Sequence, residues 1–131
     1  MSINLCAVNL PDVLAEVEAV FAEYEAALVG NDVATLDRLF WDNTSTLRYG
    51  ATENLYGHAE IAAFRAKRAA QGLSRSICRR SLTTFGWDFA VANIEFVRVG
   101  TTRIGRQSQT WVRLAEGWRV VAAHVSWLDS R

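Results

Sequence analysis

The sequence predicts an α+β fold in which a curled antiparallel sheet packs on N-terminal helices. Apolar residues recur at helical spacing through about the first forty residues, whereas about the last fifty are rich in strand formers separated by short turns. Helices and strands segregated in this way are typical of an α+β layer. Half of the 131 residues are apolar, which suits one domain over residues 1–131. The sheet has to curl over the helices to bury both apolar sets.

Two helices are predicted before residue 41. Pro11 suits the first position of a helix, and Gly30 suits the C-terminal end of the same helix. Either Asn31 or Asp32 then caps a second, short helix. Apolar residues at helical spacing support both helices. They are Val13, Val17, Val20, Tyr24, Ala27 and Leu28, followed by Val33, Leu36, Leu39 and Phe40.

The pattern changes to strand-forming segments after residue 41. Asp42 and Asn43 predict a turn, and strands are expected over 44–49 and 54–56. A third helix is expected over about 58–70. Four long strands, joined by short turns, are expected after this helix. They span 73–86, 89–99, 103–115 and 117–128.

Net charge, hydropathy and cysteine content exclude several classes of protein. The 14 basic and 14 acidic residues cancel, whereas nucleic-acid binders usually carry a basic excess. No apolar run approaches the roughly 20 residues of a membrane span, and residues 1–10 do not resemble a signal peptide. Two cysteines, Cys6 and Cys78, are too few for a disulfide framework and fit the cytoplasm. We therefore expect a cytoplasmic protein with neither a nucleic-acid nor a membrane partner.

The distribution of charge along the chain is uneven. Residues 1–47 carry a net charge of −7, and residues 48–80 carry a net charge of +5. Thirteen of the fourteen bases are arginine, which suits bidentate contact with carboxylates. One interpretation is a solvated helix face together with pairing between subunits. The other is that one or two of these arginines hold an anionic ligand.

The last predicted hairpin indicates which residues share a face of the sheet. A turn at 115–117 puts two amide side chains, His124 and Ser126 on one face. That face carries Gln107, Gln109, Trp111, Val120, Ala122, His124 and Ser126. Both faces are mixed, so we expect one to pack on the helices around a cavity and the other to pack on a second copy in a homodimer. A slip of one residue would exchange the faces.

Two residues are the candidates for catalysis. Tyr24 lies at the centre of the apolar stripe of the first helix, where its phenol either packs in the core or points into a cavity as an acid or base. Arg48 lies near the end of strand 44–49. A buried arginine is costly unless an acid pairs with it, and that acid belongs either to the protein or to a ligand.

Six further residues are candidates for substrate binding. Asn54, Gln107 and Gln109 both donate and accept hydrogen bonds, which suits a urea or amide group. His124 and Ser126 alternate on the last strand, but no acid at a suitable spacing supports a serine triad. Trp41 completes the set, although the aromatic residues belong by default to the core and interfaces. No phosphate loop or metal-ligand spacing appears, so we expect no cofactor and no metal.

Several stretches resemble a known family. The order of elements and residues 117–126 resemble the SnoaL-like branch of the nuclear-transport-factor-two-like superfamily, a cystatin-like cone with a pocket in its mouth, commonly dimeric. Within it, four stretches resemble the AtzH-like family, which includes the HpxZ proteins of oxalurate catabolism. These stretches are residues 11–17, 47–50, 53–57 and 104–111.

This resemblance implies an enzyme acting on a small carboxylated urea. The AtzH protein is a decarboxylating amidohydrolase that converts 1,3-dicarboxyurea to allophanate. A helix-1 tyrosine and a first-strand arginine are implicated there, and they match Tyr24 and Arg48 here. Two alternatives stay open: a non-catalytic dimeric protein that binds small acids or assists an amidase in purine, oxalurate or nitrogen catabolism, and a lyase or isomerase.

Overall fold

The computed structural model describes residues 7–70 and 72–129, so the prediction for Cys6 lies outside the described residues. Three helices precede four long strands, with two short strands between the second and third helices. The helices are α1 (Pro11–Val29), α2 (Val33–Leu39) and α3 (His58–Lys67). The strands are β1 (Leu47–Tyr49), β2 (Asn54–Tyr56), β3 (Arg75–Phe85), β4 (Phe89–Arg98), β5 (Gly105–Leu114) and β6 (Gly117–Trp127). None of the three helices is long and apolar enough to cross a membrane.

The six strands form one curled, unclosed sheet in the order β2-β1-β6-β5-β4-β3. Strands β3 to β6 pair as an antiparallel meander, as expected. The pairing of β1 with β6 is parallel, however, with Leu47 beside Ala122 and Tyr49 beside His124. The α+β cone is confirmed, and the expectation of a wholly antiparallel sheet is corrected at this one pair.

The inner face of the sheet packs on α1. Six residues of α1 are buried at the spacing predicted for a helix face. They are Val13, Val17, Phe21, Tyr24, Ala27 and Leu28. Opposite them lie Ala90, Ala92, Ile94, Phe96, Trp111, Val120, Ala123 and Val125. The polar site described below lies at the edge of this core, where Tyr24, Leu28 and Val125 belong to both.

The ends of the helices follow local chemistry. Pro11 occupies the first turn of α1, as predicted. The side chain of Asp32, rather than that of Asn31, caps α2, and Oδ1 of Asp32 accepts from the backbone N–H of Thr35 at 3.2 Å. Hydrogen bonds from Thr35 lower the pKa of the Asp32 carboxyl. Helix α3 ends at Lys67 rather than at residue 70, because Arg68 has an extended backbone.

Many acidic residues near the N-terminus pair with arginines inside the same chain. Glu18 and Glu25 of α1 contact Arg80 and Arg75 of β3, respectively. Glu16 contacts both Arg113 and the indole N–H of Trp118. Part of the uneven charge therefore ties α1 to the sheet within one chain, which neither of the two interpretations of the sequence included.

The predicted register of the last hairpin is wrong beyond its middle. A turn at 115–117 predicts Gln109 opposite Ala122 and Gln107 opposite His124. In the structure Gln109 lies opposite Ala123 and Gln107 opposite Val125, one residue later in β6. The register shifts between Thr110 and Trp111, which is a β-bulge that adds one residue to β6. Beyond this bulge, the two faces of β6 are exchanged relative to the prediction. His124 and Ser126 therefore share the outer face of the sheet, away from the helices.

Candidate functional site

A small polar chamber lies between α1, the end of α3 and the inner face of the sheet. Its open volume is about 30 Å³, close to the space that one water occupies. Five guanidinium groups, one phenol and one amide line it together with three aliphatic residues. The lining residues are Tyr24, Leu28, Arg48, Arg65, Arg68, Leu73, Arg75, Arg98, Gln107 and Val125.

A wider vestibule of about 270 Å³ adjoins the chamber. Arg48, Arg68, Arg98 and Val125 line both spaces, so three guanidinium groups stand where the two meet. The rest of the vestibule wall comes from the β1–β2 loop, from α3 and from the end of β6. Those residues are Ala51, Thr52, Glu53, Phe64 and Trp127.

Three of the five guanidinium groups pair with carboxylates of the protein. Arg48 contacts Glu53 at 3.3 Å, Arg65 contacts Asp37 at 2.5 Å, and Arg75 pairs with Glu25. The Arg65 and Arg75 side chains are almost fully buried, so their carboxylates offset the cost of burying charge. Their guanidinium groups also lie over the rings of Phe40 and Phe96. These pairs form the fixed part of the site.

Arg68 and Arg98 have no carboxylate partner within residues 7–70 and 72–129. Burial, followed by repulsion from Arg65, lowers the pKa of Arg68, and its Nε and Nη2 are buried without a hydrogen-bond partner. Burial, followed by repulsion from Arg75 and Arg48, lowers the pKa of Arg98. The two cations leave a surplus of positive charge that a bound anion would neutralise.

Tyr24 lines the chamber from the middle of α1. The residue is 5% exposed, and its ring packs on Phe21, Phe40 and Trp111 at centroid distances of 6.3 to 6.5 Å. No hydrogen bond joins its hydroxyl to another group among the described residues. The Tyr24 ring is thus part of the core, while the phenol is left for a ligand or for water.

The two glutamines of β5 have different surroundings. Gln107 lines the chamber, where its Oε1 accepts from Nη2 of Arg75 at 3.2 Å. Gln109 is also buried, but its Oε1 accepts from the indole N–H of Trp111 at 3.1 Å, and it does not line the chamber. Its place is in the core beside Trp111.

Comparison with known proteins settles the family. A family model described as AtzH-like matches residues 6–131. The chain belongs to the AtzH-like family. A search of curated proteins finds no match.

Solved structures similar to this AtzH-like chain agree with its fold. A DUF3225-family protein of unknown function from Pectobacterium atrosepticum is 56% identical, with a TM-score of 0.96, and the match covers 98% of this chain and 100% of that chain. A cystatin-like fold protein from Burkholderia xenovorans is 44% identical, with a TM-score of 0.91 and coverage of 99% and 100%. An NTF2-like superfamily protein from Salmonella enterica shares the fold, with a TM-score of 0.72 and 24% identity. The match covers 91% of this chain and 93% of that chain.

The chamber brings together three of the eight predicted site residues: Tyr24, Arg48 and Gln107. Trp41 and Asn54 do not line the chamber or the vestibule. His124 is exposed on the outer face, where its ring packs against Tyr49 at 5.7 Å, and Ser126 lies opposite Arg106 on that same face. None of these four residues lines the chamber.

Four arginines that line the chamber were not among the site residues predicted from the sequence: Arg65, Arg68, Arg75 and Arg98. The basic surplus over residues 48–80 was the signal for the first three, since the sequence analysis allowed one or two of its arginines to hold an anion. Arg98 had no such signal, because it lies outside that segment. Among the described residues, no cluster of three or more His, Cys, Asp or Glu side chains is arranged to hold a metal ion.

Proposed function

We propose that this chain binds a small carboxylated urea with two carboxylates and removes one of them as carbon dioxide, without a cofactor. The observation that carries the proposal is the position of Arg68 and Arg98, two cations without a carboxylate partner among the described residues, in the chamber that Tyr24 also lines. AtzH-like family membership supports the same choice of substrate class.

The balance of charge favours a dianion. Arg48, Arg65 and Arg75 already face carboxylates of the protein, which leaves two guanidinium groups to neutralise. A ligand with one carboxylate would leave one of those charges partly buried and unpaired, at a cost in binding free energy. Guanidinium groups also contact carboxylates through two parallel hydrogen bonds, which fixes the orientation of the ligand.

Arg48 is suited to hold the ligand between the chamber and the vestibule. Among the described residues, the Arg48 guanidinium group makes one hydrogen bond, in which Nη1 donates to Oε1 of Glu53 at 3.3 Å. Its other nitrogens are available to a carboxylate in either space. Burial raises the pKa of the Glu53 carboxyl, but two hydrogen bonds from Thr52, together with the charge and the hydrogen bond of Arg48, lower this pKa by more, so Glu53 stays ionised.

The reaction requires one proton and the cleavage of one bond. In a dicarboxylated urea, each carboxylate is bonded to a urea nitrogen. Tyr24 donates a proton to that nitrogen, the C–N bond breaks, and its electron pair stays on the nitrogen, while the Tyr24 phenolate regains a proton from water. The carboxyl carbon leaves as carbon dioxide, and the remaining product is a urea with one carboxylate. A fixed cationic site that positions the substrate supplies the rest of the rate enhancement.

Turnover of 1,3-dicarboxyurea tests this proposal. Freshly prepared substrate is incubated with the protein, with Arg48→Ala, and with Arg79→Ala as a matched control on the exposed part of β3. We expect allophanate and carbon dioxide from the wild type and from Arg79→Ala, and loss of both products in Arg48→Ala. Tight binding with no turnover would favour the non-catalytic binding protein instead.

We also propose that a second copy of the chain covers the outer face of the sheet. A groove of about 370 Å³ crosses that face, and apolar side chains line much of it, among them Leu47, Val91 and Ala122. An outer sheet face that met only water would alternate more cleanly with polar residues. Light scattering should give twice the mass of the chain, and Val91→Glu should give a monomer; a wild-type monomer would refute the dimer.

A further inference from the structure

We propose that Gln107 is the residue that selects a hydrogen-bond acceptor, and rejects a donor, at the inner end of the ligand. Arg75 acts as the positioning residue, because its contact with the amide oxygen of Gln107 leaves the amide nitrogen to face the ligand. The inference rests on the proposed function, since it assumes a small dicarboxylate that lies in the vestibule and places one end in the chamber. It adds the orientation of one amide group and the selectivity that follows from this orientation.

The orientation of the Gln107 amide follows from its neighbour. A guanidinium group has donors only, so the group of Gln107 that meets Arg75 has to be the oxygen. Arg75 is itself held in place, because it pairs with Glu25 through two nitrogens and lies 4.4 Å from the centroid of Phe96. The Arg75 side chain is only 4% exposed. The amide nitrogen of Gln107 therefore points away from Arg75.

The amide nitrogen of Gln107 lacks a partner. Gln107 is 3% exposed, and Nε2 makes no hydrogen bond within the described residues. Buried polar atoms nearly always have a partner, so an orphaned donor in the wall of a cavity indicates a ligand atom or a water. Since Gln107 lines the chamber, the missing acceptor belongs to whatever enters it.

The other orphaned atoms of the chamber have the same character. Nε and Nη2 of Arg68 are also buried donors without partners, and no Asp or Glu is among the residues that line the chamber. A group that enters the chamber therefore meets donors from the side chains of Arg68 and Gln107. A carboxylate or carbonyl oxygen satisfies them, whereas an amide NH₂ would face them donor to donor. Sites arranged in this way discriminate strongly, because a mismatched analogue leaves buried groups unpaired.

The experiment compares glutarate with its half-amide, glutaramate, by calorimetric titration. Glutarate has the same chain length as a dicarboxylated urea, and the half-amide replaces one carboxylate by a donor-bearing group. We expect the wild type to prefer glutarate by about tenfold or more. Gln107→Glu keeps the shape but replaces the donor by an oxygen, so the preference should fall by about tenfold. Gln107→Leu has a similar size and no donor, so it should also lower the preference for glutarate. It replaces Gln107→Glu in the comparison if that variant fails to fold.

A double-variant cycle tests the role of Arg75. Arg75→Met removes the group that orients the amide, and we expect a lower preference for glutarate in the wild-type background but no further loss in Gln107→Leu. A loss of the same size in both backgrounds would mean that Arg75 acts through its charge, which would overturn its positioning role. Arg75→Lys, which keeps a donor for the amide oxygen, should restore much of the preference.

The outcomes separate this inference from the function beneath it. A wild type that binds neither acid would overturn the dicarboxylate function and, with it, the role of Gln107. A wild type that binds glutarate, together with folded Gln107 variants of unchanged preference, would overturn the role of Gln107 alone. Folding of each variant is checked by circular dichroism before the titration.

Discussion

Nη1 of Arg48 lies 3.3 Å from Oε1 of Glu53, so the arginine proposed to hold the ligand already has a charged neighbour. The other oxygen of Glu53 accepts from both the backbone N–H and the hydroxyl of Thr52. A Cβ atom at Gly50 would overlap Oε1 of Glu53, so a side chain at residue 50 would displace the Glu53 carboxylate from this position. The β1–β2 loop therefore fixes one negative charge at the edge of the vestibule.

The Glu53 contact predicts how stability depends on pH. The pKa of Glu53 is lowered in the folded protein, so its contribution to the free energy of unfolding is present at neutral pH. This contribution is lost as the pH falls below about 4.5 and through the lowered value. Denaturant titrations between pH 3 and 7, a range that spans this change, should show a weaker pH dependence for Glu53→Gln than for the wild type. Equal slopes for the two proteins would refute the assignment.

Tyr24→Phe should separate stability from activity. The ring keeps its contacts with Phe21, Phe40 and Trp111, and the hydroxyl has no protein partner among the described residues. We expect the free energy of unfolding to change by less than about 1 kcal/mol. Release of carbon dioxide from 1,3-dicarboxyurea should fall by about 100-fold or more if the phenol supplies the proton. A wild-type rate in this variant would remove Tyr24 from the mechanism.

Arg68→Met should stabilise the protein without ligand and weaken binding of the ligand. The lowered pKa of Arg68 means that its charged form is disfavoured in the folded state, by burial and by Arg65. A neutral side chain of similar length relieves that cost, so the melting temperature should rise. Affinity for a dicarboxylate should fall by about tenfold, because a charged donor is lost. Arg79→Met on exposed β3 is the control, and a lower melting temperature for Arg68→Met would contradict this account.

Gly105 should not tolerate a side chain. A Cβ atom at this position would overlap the ring of Phe96, which is fully buried and cannot move into solvent. We expect Gly105→Ala to cost about 1 to 3 kcal/mol of stability, as overpacking of a core does. Thr102→Ala, in the exposed loop before the same strand, should change stability by less than about 0.5 kcal/mol. Equal stability of the two variants, measured by denaturant titration, would show that Phe96 repacks without strain.

Much of the fold could be predicted from the sequence because local patterns carry it. Helical spacing places Tyr24 in the core-facing stripe of α1, and short turns define the meander. Regular alternation along β5 also put Gln107, Gln109 and Trp111 on one face of the sheet, although it did not indicate whether that face meets the helices. The β-bulge was not predictable in this way, because one extra residue in β6 leaves no mark in the alternation and yet turns His124 outward.

The arginine cluster depends on tertiary structure. Arg65 and Arg75 are neutralised by Asp37 and Glu25, which lie 28 and 50 residues away along the chain. No spacing rule identifies such distant partners, so the sequence could indicate a basic surplus but not which of its members lack a carboxylate.

The most direct test of the central claim is a titration with 3-oxoglutarate and with acetoacetate. The first is a carbon analogue of 1,3-dicarboxyurea with both carboxylates and the central carbonyl, and the second lacks one carboxylate. Arg68 and Arg98 have no carboxylate partner in the part of the chain that the structure describes, which predicts that the dianion binds at least about tenfold more tightly and that this advantage disappears in Arg68→Met. Equal affinity for the two acids, or an advantage that survives in the variant, would contradict the claim that these arginines form a dianion site.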